Sequence, residues 1–353
     1  MEIVRIGIIG AGWVTQERHL PRLQKVREAT VDRIWSWHPE NARKVADTFG
    51  IPSTPRNWRE IVDDESIDAI IVSAPPILHA EASIAALQAG KHVLCQGRMA
   101  RNLSEAYQMR AAWKSTEKVA ALYPPFPGLK GDRVVRRLLK EENFVGEVRE
   151  VRVSGLTFTP PADGYTWLAD PDVVGINTMT LGLWCEVLNR WVGPATRVTA
   201  IGRSHTSKRF DLDGQSVDAV VPDSLAIAAN LECGASTSYH FSTCAAAAPE
   251  QSIEIYGTKG ALIYQMHSGV LRGAGAGEAI EPIEISPDEE RDQTTDSEFV
   301  LAILTGSPVS PDFEDGVRYM EFSEAVAISI HEGRTVSLPL TQGVMQTWGQ
   351  KIQ

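Results

Sequence analysis

Apolar positions first come in short unbroken runs and later in alternation. Residues 3–9, Ala69–Ser73 and His92–Cys95 are almost wholly apolar, and Val31–Trp37 is a mixed run that reads as a further strand. Runs this short, with no polar alternate, predict strands buried on both faces, as in a parallel sheet. The intervening segments predict helices. One follows the first strand to about Lys25. A second opens at Pro39, carries Glu40 in its first turn and stops at Gly50, with Pro52 beyond. Alanine-rich Ala80–Ala89 is closed by Gly90, and Leu103–Lys114 follows. Strand and helix in alternation predict a doubly wound parallel sheet, that is, an N-terminal Rossmann domain in an α/β protein.

The texture changes after Tyr123-Pro-Pro-Phe-Pro-Gly128. That proline-rich stretch predicts a boundary, with one domain over 1–124 and a second over 125–353. Beyond it, Val148–Val153, Val198–Ile201, Leu225–Leu231, Ser236–Phe241 and Ser252–Tyr256 alternate apolar with polar. They predict an open, mostly antiparallel sheet in a C-terminal α/β domain, wetted on one face. Helices are predicted near Asn177–Trp191 and Phe313–His331, and Gly269–Gly277 reads as a hairpin tip.

Composition narrows the function. The 353 residues carry a net charge of −11, whereas a nucleic-acid binder normally presents a basic face. No run reaches the roughly 18 apolar residues of a membrane span. The apolar start, Ile3–Val14, is interrupted by Gly7, Gly10 and Gly12 and reads as a strand and turn, not a leader. Cys95, Cys185, Cys233 and Cys244 form neither a CxxC nor a zinc pattern. They read as reduced thiols of a cytoplasmic protein, with no metal site, no membrane and no nucleic acid among its partners.

Gly10-Ala-Gly12-Trp13-Val14-Thr15 lies between the first strand and the first helix. A tight turn there needs a glycine, and close approach of main-chain N–H groups to a pyrophosphate needs a second. The pair therefore predicts a dinucleotide site that includes Trp13 and Val14. The third position of the fingerprint holds Thr15, so helix and strand must pack differently there. The second strand leads into Ser36-Trp37-His38, with no carboxylate to read a ribose 2′-hydroxyl; Asp32 has nearly the right spacing but stands at the wrong end. Ser36 suits either cofactor, Trp37 offers a face to adenine or to the core, and Arg43 reaches toward a phosphate. NAD and NADP both remain, with NADP favoured.

Several segments together resemble the Gfo/Idh/MocA oxidoreductases: Ala69-Ile-Ile-Val-Ser-Ala-Pro-Pro-Ile-Leu-His79, Ala89-Gly-Lys-His-Val-Leu-Cys95, Ile253-Glu-Ile-Tyr-Gly-Thr-Lys-Gly-Ala-Leu262, Phe313-Glu-Asp-Gly-Val-Arg-Tyr-Met320 and Glu332-Gly-Arg-Thr-Val-Ser-Leu-Pro339. The resemblance runs over nearly the whole chain. It implies a Rossmann domain, a second domain whose open sheet floors the active site and mediates homo-oligomerisation, and NAD(P)-linked hydride transfer at a sugar or cyclitol hydroxyl. It also implies that Ala74, Pro75 and His79 lie along the nicotinamide, with Gln96 beside them. His79 has a plainer alternative, as a residue that caps or packs a helix start.

The departures from the family are as informative. Its Glu-Lys-Pro motif aligns with Gln96-Gly97-Arg98, and its Asp-x-Gly-x-His motif with Thr180-Leu-Gly-Leu-Trp184. The lysine, aspartate and histidine that serve proton transfer are absent. Arg98 is always protonated, which suits a clamp or oxyanion partner and not a base. The expected site lies between the domains, with Arg98 as clamp, Asn177 and Thr180 as hydrogen-bond partners and Trp184 as an apolar face for a sugar ring. Glu186, Tyr165, Lys130 and His240 are the candidates for acid–base work. Three readings follow: an NAD(P)-dependent oxidoreductase on a carbohydrate-like substrate, a non-redox ligand-sensing protein, and a lyase or glycoside-cleaving enzyme using hydride transfer transiently.

Overall fold

The computed structural model describes residues 3–124, 129–159, 166–210, 215–291, 294–341 and 348. Tyr165 and the segment 125–128 of the proline-rich stretch lie outside the described residues. In chain order the strands and helices are β1 (Val4–Ile9), α1 (Leu20–Leu23), β2 (Ala29–Trp35), α2 (Pro39–Phe49), α3 (Arg59–Val62), β3 (Ala69–Val72), α4 (Pro76–Gln88), β4 (His92–Gln96), α5 (Leu103–Lys114) and β5 (Ala120–Tyr123). Then come α6 (Asp132–Lys140), β6 (Val148–Leu156), α7 (Pro171–Val174), α8 (Leu181–Trp191), β7 (Ala195–Arg203), β8 (Lys208–Phe210), β9 (Ser216–Asp218), β10 (Ser224–Leu231), β11 (Ser236–Ser242) and β12 (Ser252–Gly257). The chain continues through β13 (Gly260–Gln265), β14 (Leu271–Gly275), β15 (Glu281–Ile283), α9 (Thr295–Thr305), α10 (Phe313–Glu332) and β16 (Val336–Ser337).

Two compact units emerge, Met1–Pro127 with Thr294–Val317, and Gly128–Gln293 with Arg318–Gln353. A single cut at 124/125 leaves Thr294–Val317 on the other side. The sequence predicts a helix near Phe313–His331 and none over α9, Thr295–Thr305. In the structure α9 packs Phe299 and Val300 into the core formed by Ile6, Ile8, Ile71 and Leu94. Beside them, His19 Nδ1 lies 2.6 Å from the Asp296 carboxylate, both side chains being fully buried. The Tyr123 ring stands 4.2 Å from the imidazole.

The first unit is a five-stranded parallel sheet in the order β2-β1-β3-β4-β5. The unbroken apolar runs become its strands: all of β3 is buried, as are Ile6, Ile8 and Ile9 of β1. Helix boundaries follow local chemistry. Pro39 opens α2, and Gly50 closes it in the left-handed region, φ 72°. Asn102 caps α5 by accepting the Glu105 N–H. Two expected bounds move: β2 runs Ala29–Trp35 rather than Val31–Trp37, and α4 begins at Pro76, before Ala80.

The second unit is built on a nine-stranded sheet, β15-β14-β13-β12-β6-β11-β10-β7-β16, antiparallel except for the β6–β11 pair. Alternation works here as the sequence predicts. Leu225, Ile227, Ala229 and Leu231 of β10 point to one face with Tyr239 and Phe241 of β11, and the intervening residues are exposed or half-buried. Helices cover the apolar face: Trp184 of α8 meets Phe241 edge-on at 5.8 Å, and Phe322 of α10 meets Tyr239 at 5.3 Å. The glycine-rich Gly269–Gly277 is not a bare hairpin tip; β14 runs through it and pairs on both sides.

One buried carboxylate ties three elements of this unit. Asp132, first residue of α6, accepts from Arg190 Nη1 at 2.5 Å, Trp191 Nε1 at 2.7 Å and Arg291 Nη1 at 3.1 Å. Asp132→Ala removes the anion shared by two largely buried guanidinium groups, leaving Arg190 its pairing with Glu186. We expect a loss of about 3–5 kcal/mol, the cost of breaking a buried pair from one side. Urea unfolding measures it, and a loss below about 1 kcal/mol would place this network with exposed pairs. No helix among the described residues is long and apolar enough to cross a membrane.

Candidate cofactor and substrate site

In the first unit the expected cofactor residues lie beyond the carboxyl ends of β1, β2, β3 and β4. Chain order reverses between β1 and β3, and an open α/β sheet binds ligands at such a switch point. Gly10 ends β1 with φ +118°. A Cβ on it would lie 2.2 Å from the Ser73 carbonyl oxygen and 2.8 Å from the Ala74 nitrogen. Glycine is thus demanded by the main chain at the end of β3. At Gly12 a Cβ meets none of the described atoms within 4 Å. The protein's own packing does not require glycine there, whereas a pyrophosphate lying against its main chain does. The two glycines therefore serve different ends, and the turn fits a dinucleotide.

Thr15 occupies the third fingerprint position, fully buried, and its hydroxyl donates to the Gly10 carbonyl at 2.8 Å. Gln16 Nε2 donates to the Ala11 carbonyl at 2.9 Å. A π-helical stretch, Thr15–His19, precedes the single turn of α1. Such wider turns are frequent at functional sites. Trp13 is exposed, with the Arg18 guanidinium 5.3 Å above its ring, and Val14 is half-buried.

Beyond β2 the Ser36 hydroxyl accepts the His38 N–H at 3.2 Å. Trp37 is 50% exposed and meets Trp35 edge-on at 5.8 Å, so it is a surface platform and not core. The segment is less free of carboxylates than its sequence predicts: Glu40 lies 3.6 Å from His38 Nδ1. Asp32 is also corrected. It sits inside β2, and its carboxylate pairs with Arg5 at 2.7 Å.

At the ends of β3 and β4, Ala74 is buried, Pro75 half-buried, and Ser73 Oγ donates to Gln96 Oε1 at 3.0 Å. His79 is buried, with Nε2 2.6 Å from the Ala74 carbonyl and Nδ1 2.7 Å from the Arg98 carbonyl. Burial pushes its pKa below the ordinary histidine value. Its ring braces the main chain after β3 to that after β4, which is the packing alternative. Arg98 itself is half-buried.

In the second unit the helix start moves. Asn177 and Thr180 precede α8, which begins at Leu181, so Asn177 is not on the helix. Asn177 is buried and donates to the Val174 carbonyl at 2.7 Å. Trp184 is fully buried, and its indole N–H donates to Thr180 Oγ1 at 2.9 Å. With Phe241 against its ring, it is a core residue and offers no face to a sugar; the apolar face of α8 simply includes it. Gly182 allows the close approach of α8 to α10, since a Cβ there would lie 2.8 Å from the Tyr319 ring. Among the acid–base candidates, Glu186 is buried and paired with Arg190 at 3.0 Å, and Lys130 pairs with Glu290 at 2.7 Å. Tyr165 lies outside the described residues. His240 is exposed, on the uncovered face of β11.

Comparison with known proteins assigns both halves. The family described as "Oxidoreductase family, NAD-binding Rossmann fold" matches residues 4–123, and the GFO/IDH/MocA C-terminal domain matches residues 133–263. The chain belongs to the GFO/IDH/MocA oxidoreductase family. Within it, glucose-fructose oxidoreductase domain-containing protein 2 of Xenopus laevis is 28% identical over 52% of this chain and 47% of its own length. Levoglucosan dehydrogenase of Pseudarthrobacter phenanthrenivorans is 29% identical over 49% of this chain and 44% of its own length. The chain thus matches about half the length of these relatives. Among solved GFO/IDH/MocA structures, a levoglucosan dehydrogenase in complex with NADH and levoglucosan superposes with a TM-score of 0.88 at 22% identity, covering 96% of this chain and 100% of that one. That likeness concerns the fold.

Proposed function

We propose that this chain is an NAD(P)-dependent oxidoreductase that moves a hydride to or from a hydroxyl or carbonyl of a carbohydrate-like molecule, namely a sugar, sugar acid or cyclitol. The observation that carries the reading is the Gly12 turn, whose glycine the protein itself does not need, at the switch point of an NAD-binding family domain. The activity named for the levoglucosan relative supports the substrate class. Bound at this turn, a nicotinamide would supply the hydride acceptor or donor. The N–H groups of the turn hold the pyrophosphate, and Trp13 and Val14 flank it. Ser36, Trp37 and His38 take the adenosine end. Ala74, Pro75 and Gln96 bound the nicotinamide end, and His79 keeps their main chain in place. Arg98 clamps a substrate oxygen with a fixed fork of donors.

Incubation with NAD or NADP and a panel of sugars and cyclitols tests this. Net change at the nicotinamide absorbance band is the expected result. Product without net cofactor change would replace the reading with transient hydride transfer, and binding without chemistry would replace it with ligand sensing.

For the cofactor we propose NADP bound at least as tightly as NAD. Arg43 favours a 2′-phosphate and Ser36 suits either cofactor, while Glu40, 3.6 Å from His38 Nδ1, is an exposed side chain. Titration of both cofactors by calorimetry measures the ratio. A hundredfold preference for NAD, about 2.7 kcal/mol, would reverse the assignment and point to Glu40 as the group that reads the ribose.

A further inference from the structure

We infer that the second unit carries a polyol-binding cavity, lined by His205, His240, Ser242 and Cys244, that takes the hydroxyl groups of a carbohydrate-like ligand. This rests on the substrate class proposed above and assigns residues to it. The cavity has a volume of about 360 Å³, and Leu156 and Ala245 complete its wall. Pockets that hold small ligands begin near roughly 300 Å³.

The sheet builds this cavity through its register. His240 stands between Ala226 of β10 and Ser154 of β6, and Ser242 stands between Ser224 and Leu156. Small cross-strand neighbours leave the His240 ring uncovered on the open face. The rim is held from behind. The Asp223 carboxylate accepts the N–H groups of His205 at 2.8 Å and Thr206 at 2.9 Å, which anchors the loop carrying His205. Ser242 Oγ accepts the Cys244 N–H at 2.9 Å, and the Thr243 N–H donates to the Asp223 carbonyl at 2.9 Å. Thr178 Oγ1 donates to the Pro222 carbonyl at 2.6 Å, which ties this end of the sheet to the segment leading into α8.

The lining sets the ligand class. Two imidazoles and a hydroxyl can each give or take hydrogen bonds, the Cys244 thiol is engaged by the Asp223 carboxylate behind the wall, and no Asp, Glu, Lys or Arg is among the lining side chains. Such a set suits a neutral polyhydroxylated molecule better than a phosphate or carboxylate, for which Arg or Lys is the usual partner. Among the described residues no three His, Cys, Asp or Glu side chains are grouped to hold a metal ion.

The cysteines supply the experiment. Cys244 is half-exposed in the cavity, Cys233 is exposed at the β10–β11 turn, and Cys95 and Cys185 are buried. The full chain, with NADH present, is alkylated with N-ethylmaleimide in increasing levoglucosan, L-sorbose or myo-inositol, and each cysteine is followed by mass spectrometry. At least one probe should slow Cys244 alkylation about tenfold at about ten times its Kd, by mass action, with Cys233 unchanged. His240→Leu and His205→Ala should each weaken that protection at least about tenfold in probe concentration, about 1.4 kcal/mol, with NADH affinity unmoved. If no probe protects Cys244, the cavity is not the site. Turnover of a probe alongside that result would leave the oxidoreductase reading intact. Protection without turnover keeps the cavity and removes the oxidoreductase reading. Protection that survives both substitutions places the ligand elsewhere and overturns the inference.

Discussion

Gly12→Val is expected to abolish NAD(P) binding, weakening it at least about a thousandfold, or about 4 kcal/mol, with the fold intact. Gly12 is exposed, and a Cβ there meets no described atom within 4 Å. The added Cβ therefore meets no obstacle among the described residues, and the isopropyl group blocks the approach of a pyrophosphate to the main chain. Calorimetry reads the affinity, and thermal unfolding reads the fold. Gly10→Ala is the counterpart. Its Cβ would lie 2.2 Å from the Ser73 carbonyl oxygen at a φ of +118°, so stability falls together with affinity. Wild-type affinity in Gly12→Val would rule out this turn as the cofactor site.

The second large effect is expected at Arg98. Arg98→Ala should lower kcat/KM on a confirmed substrate about 10²-fold, the scale of losing one preorganised donor and about 2.7 kcal/mol of transition-state stabilisation. Cofactor affinity should stay put, because the link from this segment to His79 is made by the Arg98 carbonyl and alanine keeps it. Arg98→Lys should recover only part of the loss, since an ammonium keeps the charge but not the two-pronged geometry. Normal turnover in Arg98→Ala would make the arginine structural, and a matching drop in cofactor affinity would make it part of the dinucleotide site. A loss of stability equal to the loss of activity would count against the clamp as well.

The fold was legible because period and composition act locally. Unbroken apolar runs became the buried strands of one sheet, and alternating runs became the half-wetted strands of the other. Gly10, Gly12, Pro39 and Gly50 marked turns and helix ends from their own backbone preferences. Fewer of the candidate site residues were readable, since side-chain environment depends on neighbours far along the chain. Trp184 aligned with a catalytic histidine, yet its environment is decided by Phe241, fifty-seven residues later. Glu186 is an acid–base candidate by sequence, and its buried pairing with Arg190 is one that helical spacing permits but does not require.

By itself, then, the amino-acid order determined the alternation of strand and helix, the class of each sheet and the glycine turn, because each depends on residues within a few positions of one another. It also carried the family likeness, which rests on strings of residues and not on contacts. Tertiary structure alone decided that Thr294–Val317 joins the first unit, that His79 is a brace, that Trp184 is core, and that His205, His240 and Cys244 face one cavity. Each of these is set by long-range packing or cross-strand register, where a partner's distance in sequence bears no relation to its distance in space.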